Sequence, residues 1–356
     1  MGRISRRSGR PAAFRQGLPT RLRKGVVRRE RGGDRPTGRR RAAGAVCLGL
    51  VLALVAPPAE AGAHRCTWRV RMMPTSPGTV GGDVRGTDGG NRWVGIVSEG
   101  AALWRGGHLI RLGPGRAQDV NRHEVVVGGD NISYGAGHAV MWVHGRRIRL
   151  AEPAGVTQSA ANAVNDSGEI VGYGTYEDIG TVGLVWSVRS PWRVRVLTYG
   201  RDDLNLTDVS ASGLIVGVAW RRLSEMDDTV ALQGTVRSGL RSIVPPSVSE
   251  SSAGSVSGRY VLGGTPAGAT LWRAGTRRIL AVRAGILATA VNRHGLVAGF
   301  DTITYRPVIW NGRTVRHLPL PWGWSGASPM TINDAGQLGG SVNGTTVGRP
   351  VLWVCR

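Results

Sequence analysis

The feature that most limits what this chain can fold into is a turn-bearing segment that returns at a spacing of about 40 residues. It reads NAVNDSGEIVG at 162–172, TAVNRHGLVAG at 289–299 and MTINDAGQLGG at 330–340. Each copy places an Asn, a Gly three residues later and a second Gly four further on: Asn165, Gly168 and Gly172; Asn292, Gly295 and Gly299; Asn333, Gly336 and Gly340. A repeat of this size is a supersecondary unit that buries its apolar face only by stacking on its neighbours, which points to a propeller or another array. The Asn-x-x-Gly stretch between two apolar runs is a hairpin signal, with Asn and Gly supplying the left-handed positions.

Residues 156–197 show the whole unit. A small-residue strand leads into Asn165–Gly168, and the strand EIVGYG follows. After a longer connection come GLVW (183–186), a polar turn and RVRVL (193–197). Four short strands in succession make one propeller blade. The third-strand Trp recurs at Trp104, Trp142, Trp186, Trp272, Trp310 and Trp353, and one unit has Ala231-Leu232-Gln233 in its place. The second-strand Gly recurs at Gly95, Gly128, Gly172, Gly217, Gly263, Gly299 and Gly340, which counts seven units. Some copies depart. Ser210 replaces the Asn, Glu124 replaces the turn Gly, residues 251–264 fit only with a shifted Gly, and Asp88 and Asn91 fill the slots of the first copy. The last unit stops after its third strand, at PVLWVCR (350–356), while CTWRVRMM (66–73) has the look of a fourth strand. The expected fold is therefore all-β: a seven-bladed β-propeller of four-stranded blades, closed by N- and C-terminal strands sharing the last blade.

These motifs resemble the HAF family of extracellular repeats of bacterial secreted proteins. Residues 138–142 (HAVMW) stand where that family has His-Ala-Phe, an apolar residue and Trp, and 161–172 match its Ala-x-Ala-Ile-Asn-x-x-Gly-x-Val-Val-Gly core. The resemblance spans roughly 66–356. It implies a secreted β-repeat protein and supplies no catalytic residues.

Charge separates the leader from the body. The formal net charge is +23, of which residues 1–41 contribute +13 and the chain from His64 onward +11, with Glu60 between them. Residues 1–41 are Arg-, Gly- and Pro-rich with no apolar periodicity, and are expected to be a basic disordered leader. Residues 42–63 then read as a signal peptide: Ala42–Ala56 is an uncharged apolar run, and Ala61 or Ala63 suits a cleavage site. The leader is long for a signal n-region, as a start at Val26 or Val27 in place of Met1 would explain. Residues 64–356 form the single expected propeller domain, extracellular and monomeric, with no stable membrane span once the signal is removed. Only one Lys occurs, Lys24, and the body's many Arg residues are spread along strands such as RRIRL (146–150). That pattern fits a codon bias better than a nucleic-acid interface, so nucleic acid is not an expected partner.

Cys47 leaves with the signal, and Cys66 and Cys355 flank the gap where the other blades have a third-to-fourth-strand turn. In an exported chain they are expected to form a disulfide. Closing so long a loop contributes roughly 4–5 kcal/mol on the chain-entropy account. The alternative is two unrelated buried thiols.

Function belongs to what does not repeat. The turns after strands 1 and 3 are tight, and the connections after strands 2 and 4 are longer and share the opposite face. Those connections carry Tyr134, Tyr176, Trp220, Tyr305, Trp322 and Trp324. Aromatics beside polar groups can stack on and hydrogen-bond a carbohydrate, or can simply pack between blades. Glu177/Asp178 and Asp227/Asp228 read as solvated loop acids rather than a hydrolytic pair. There is no His-x-x-x-His, no Gly-x-Ser-x-Gly elbow and no phosphate loop, and no cofactor or metal is expected. The leading function is a secreted binding or scaffold module for glycan, cell wall or protein, without catalysis. An extracellular propeller enzyme acting on polysaccharide or glycan is the alternative, and a purely structural repeat domain the third possibility.

Overall fold

The repeated Gly of the second strand explains how each blade is built. The computed structural model of the protein describes residues 67–79, 81–132, 137–221, 228–343 and 348–356. Its elements are all strands, arranged as seven four-stranded antiparallel sheets. In every blade the innermost strand carries a β-bulge against the second: between Val84 and Gly86, Ala117 and Asp119, Ala161 and Ala163, Leu206 and Asp208, Ala253 and Ser255, Ala288 and Ala290, Pro329 and Thr331. The residue just before the bulge pairs with the recurring second-strand glycine, as Ala161 does with Gly172. At all seven glycines the carbonyl of the residue two before the bulged one occupies the place a Cβ would take, and at Gly172 it belongs to Ala160. Any larger residue forces the backbone apart.

The blades follow one another around a ring: 82–113, 116–149, 156–197, 203–242, 252–283, 286–317, and a seventh from 326 to 355. The outer strand of the seventh is Trp68–Met72, paired with Arg349–Cys355 from Trp68 opposite Cys355 to Met72 opposite Val351. Each inner strand touches the next and the seventh touches the first, so the ring is closed. This is the seven-bladed β-propeller expected from the repeat, shut by strands from both ends of the described chain. Cys66 lies outside the described residues.

The core lies between blades. One cluster joins Val94 and Leu103 of blade 1 to Val126, Val140 and Trp142 of blade 2. Another runs from Val171 and Val185 of blade 3 through Leu206 and Leu232 of blade 4 to Ala253 and Trp272 of blade 5. The third-strand Trp is buried in each blade that has it. In four of these blades its indole N–H reaches back to the carbonyl where the preceding blade's outer strand ends: Trp104 to Pro74 at 2.7 Å, Trp142 to Leu112 at 3.0 Å, Trp186 to Ala151 at 2.6 Å and Trp353 to Pro319 at 2.9 Å.

The Asn of the repeat has a different role from the one expected. In the Asn165–Gly168 turn only Gly168 takes a left-handed conformation, with φ 84°; Asn165 does not. Its Oδ1 accepts the N–H of Glu169 at 2.9 Å and so caps its own turn, while its Nδ2 donates to the Ser210 carbonyl of the next blade at 3.0 Å. Asn121 donates likewise to Asn165, Asn292 to Asn333, and Asn333 to Gly90 across the ring closure. The amide of Asn has both an acceptor and donors. One side chain therefore closes a turn and staples two blades.

Candidate functional site

The inner strands surround a central channel whose two ends differ in chemistry. At the end formed by the tight turns a cavity of about 370 Å³ draws residues from all seven blades. Asp119 and Asp208 stand inside it, two residues before the turn positions held by Asn121 and Ser210. Each braces the next blade: an Asp119 oxygen accepts the N–H of Val164 at 3.0 Å, and an Asp208 oxygen accepts that of Val256 at 2.7 Å. Removal from bulk water pushes the Asp208 carboxyl up to about 6, against the pull of its backbone donors. Asp119 is pushed well above the usual carboxylate range by the same burial and by the negative charge of Asp208. At the mouth, Arg122 reaches Asp166 at 3.5 Å and Asp334 at 4.0 Å, and Arg293 reaches Asp334 at 3.3 Å. Blades 2, 3, 6 and 7 are thus tied across the opening. The acids of this end are engaged in holding blades together. Sequence reading missed Asp119 and Asp208, although an acid at a position where other blades carry Ala163, Ala290 or Thr331 is a visible departure.

Nearer the other face a smaller cavity, of about 280 Å³, lies between blades 2, 3 and 4. Trp220 is in its wall, with Tyr173, Asn162, Asn205 and Arg116. Asn162 donates to the Asn205 side chain and the Leu206 carbonyl, both at 2.8 Å. Arg116 is only 1% exposed, and burial draws its pKa down while the neighbouring Tyr173 opposes that.

The six aromatics expected on the long connections do not converge. Tyr134 lies outside the described residues. Tyr176 is half-buried against the blade 2–3 core, and Trp220 is the cavity residue just described. The other three share one corner of the rim. Trp324 packs partly on the blade 7 core, whereas Trp322 is 97% exposed and Tyr305 61% exposed. The loop that presents Tyr305 is held by Asp301, whose carboxylate accepts the N–H groups of Ile303 at 3.0 Å and Thr304 at 2.8 Å and contacts His317 Nε2 at 3.0 Å. Those bonds, the Thr304 one foremost, keep the Asp301 carboxyl far below its usual range. Tyr305 sits at φ 53°, and its carbonyl accepts the N–H of Ala327 at 3.0 Å, at the start of blade 7. The loop that presents Tyr305 is therefore held in place. Of the loop acids, Glu177 and Asp178 are exposed as expected, and Asp227 lies outside the described residues. Among the described residues no group of three or more His, Cys, Asp or Glu is placed to hold a metal, and no helix is long and apolar enough to cross a membrane.

No family model matches the sequence, and no curated protein matches it. The fold itself has many solved counterparts. The WD40 repeats of RRP9 superpose with a TM-score of 0.53 at 12% identity over 81% of this chain and 97% of that one. A virginiamycin B lyase from Staphylococcus aureus gives 0.52 at 8% identity, covering 81% and 99% of the two chains. Puromycin hydrolase gives 0.53 at 11% identity, and there this chain spans about half of the other, 52% of its length. At these identities the likeness is one of fold.

Proposed function

We propose that this chain is a secreted, non-enzymatic binding propeller that takes an extracellular glycan on the face of its long connections. The observation that carries this reading is the exposure on this rim of Trp322, Tyr305 and Ile303, at 97%, 61% and 83%, with the loop of Ile303 and Tyr305 held by Asp301. Exposed aromatic faces beside hydroxyl and carboxylate groups suit the C–H face and hydroxyls of a sugar, and the braced loop of Tyr305 costs little ordering entropy on binding. The channel acids favour the non-enzymatic version, since Asp119 and Asp208 project from inner strands and hold neighbouring blades. The test is retention of the purified protein on cell-wall and polysaccharide matrices, comparing the native chain with Trp322→Ala. Loss of retention at an unchanged melting temperature supports the assignment. Equal retention removes this corner as the ligand site, and retention on protein baits alone replaces the glycan with a protein partner.

Export goes together with a Cys66–Cys355 disulfide. Thr67, the chain neighbour of Cys66, exchanges both backbone hydrogen bonds with Arg356, at 2.8 and 3.2 Å. A peptide map under non-reducing conditions should contain the linked pair, and finding both thiols alkylated would refute the bridge.

A further inference from the structure

Between blades 5 and 6, on the face of the tight turns, a groove of about 440 Å³ is lined by Arg259, Arg273, Arg278 and Arg313 with Tyr260 and His294. No carboxylate is in its wall. Among the described residues none of these four arginines forms an ion pair, in contrast to Arg92 and Arg105 of blade 1.

The equivalent place between blades 1 and 2 shows what is missing. There Arg105 follows the third-strand Trp104 as Arg273 follows Trp272, and Arg92 faces Arg105 across the ladder as Tyr260 faces Arg273. The turn of blade 2 ends in Glu124, at φ 59°. Its carboxylate takes Arg105 at 2.8 Å and Arg92 at 3.1 Å. The matching residue of blade 6 is Gly295, at φ 80°. A Cβ there would stand 2.6 Å from Cζ of Tyr260, so the phenol ring fills the space that Glu124 uses. Arg259 lies over that ring, 5.3 Å from its centroid, and its Nε donates to the Tyr260 hydroxyl at 3.1 Å. A carboxylate site of the ring has become an aromatic floor under unneutralised guanidinium groups.

We infer that this groove binds an acidic polysaccharide, one bearing carboxylate or sulfate groups along a sugar chain. Guanidinium groups take such oxyanions through paired, charge-assisted hydrogen bonds. The Tyr260 ring and the side chain of Leu280, which is 40% exposed, offer apolar surface to the sugar backbone between charges. The arginines come from turns and strand ends of two successive blades, as suits a polymer rather than a single anion. This site lies on the opposite face from Trp322 and shares no residue with it, so each assignment can fail alone.

The test measures binding of the purified protein to polygalacturonate, heparin, neutral dextran and duplex DNA at low and moderate salt. The expected result is salt-sensitive binding of polygalacturonate or heparin and none of dextran; the two acidic arms separate carboxylate from sulfate recognition. Arg273→Gln with Arg313→Gln should weaken that binding by about tenfold and flatten its salt dependence. Arg189→Gln, an exposed arginine in blade 3, should not change it. Both sites are exposed, and superimposable thermal unfolding curves establish that the folds are intact; Arg313→Gln alone serves if the double variant unfolds early. Equal binding by the double variant and Arg189→Gln, equal binding of dextran, tighter binding of DNA than of either polysaccharide, or no binding at low salt would each overturn the inference.

Discussion

Blades 6, 7, 1, 2 and 3 and blades 4 and 5 solve the same problem with different atoms. In the longer arc the link between blades is regular. Trp353, Trp104, Trp142 and Trp186 each reach back to the preceding blade, and Asn292, Asn333 and Asn121 each reach forward to the next. Blade 4 has Gly234 at the ladder position of the Trp, with Gln233 beside it on the opposite face of the strand, and Ser210 for the Asn, yet its contact with blade 5 is well bonded. Gln233 donates to the Thr276 carbonyl at 2.7 Å and accepts the Gly275 N–H at 2.9 Å, so the link now runs forward. Thr207 adds a bond to the Ala253 carbonyl at 2.7 Å, and Arg277 one to the Ser242 carbonyl at 3.1 Å. A ring needs every interface closed but does not need each closed by the same residue. A motif can therefore vanish from the sequence while its physical role persists.

The bulge is common to both arcs, and the largest effect is expected there. Gly172→Ala in blade 3 and Gly263→Ala in blade 5 each place a methyl on a backbone carbonyl that cannot swing away. Each should destabilise by about 3 kcal/mol or more in urea denaturation. A large loss at Gly172 with little at Gly263 would mean that the irregular arc relaxes where the regular arc does not.

The staples come next and divide the arcs. Asn333→Ala removes the cap of Gln337 and strands the Gly90 carbonyl at the ring closure, for an expected loss of about 2–3 kcal/mol. Asn333→Asp keeps the cap and removes the donor, which is the state that blade 1 already has at Asp88, where the carboxylate caps Gly90 and Arg92. It should fall between the native chain and Asn333→Ala. In blade 4, Ser210→Ala loses the cap on Leu214 and a contact with the Ser212 hydroxyl within the same turn, for about 1 kcal/mol. Equal losses at positions 333 and 210 would show that the donor to the next blade contributes nothing.

The legibility of the chain follows the same division. Asn165, Asn292 and Asn333 with their glycines set the count and period, because one turn geometry and one bulge recur and both demand particular residues. The closure at Trp68–Met72 was readable because the last unit lacked a strand and the first residues of the body supplied one. The role of the Asn was not. A side chain that caps its own turn and one that also staples the next blade look alike until the neighbouring carbonyl is in place. Of the site, Trp322 could be named but its exposure could not, since Trp324 in the same loop turns inward. The arginine groove was hidden for a related reason. Arg105 and Arg273 are the same residue at the same point of the repeat, and only the partner, Glu124 or Gly295, decides whether the charge is neutralised.

A smaller effect tests the Trp link itself. Trp186→Phe leaves the Ala151 carbonyl without its donor and should cost about 1–2 kcal/mol beyond the lost area. The Nε1 of Trp272, in blade 5, is buried with no hydrogen-bond partner. Trp272→Phe removes an unsatisfied donor, so its cost should be lower by about 1 kcal/mol. Equal costs in denaturant titrations would show that the indole bond does not distinguish the arcs.

The smallest effect concerns pH, and it compares two acids with one task, Asp119 between blades 2 and 3 and Asp208 between blades 4 and 5. Burial raises the pKa of both, to about 6 for Asp208. A carboxyl raised on folding holds its proton more tightly in the folded state than in the unfolded one. Its contribution to stability is fully present below the unfolded value, near pH 4, and is lost as the pH climbs through the folded value. Stability from this source should therefore fall between pH 4 and pH 7, by about 1 kcal/mol because Asp208 is only partly buried and its charge is screened. Asp208→Asn should remove that slope and also lower the Asp119 pKa, since the charge of Asp208 is one of the groups raising it. The other titratable groups are common to both proteins and cancel in the difference between their stability curves. If that difference is flat from pH 4 to pH 8, Asp208 is not strained by its charge, and the two arcs carry their channel acids at equal ease.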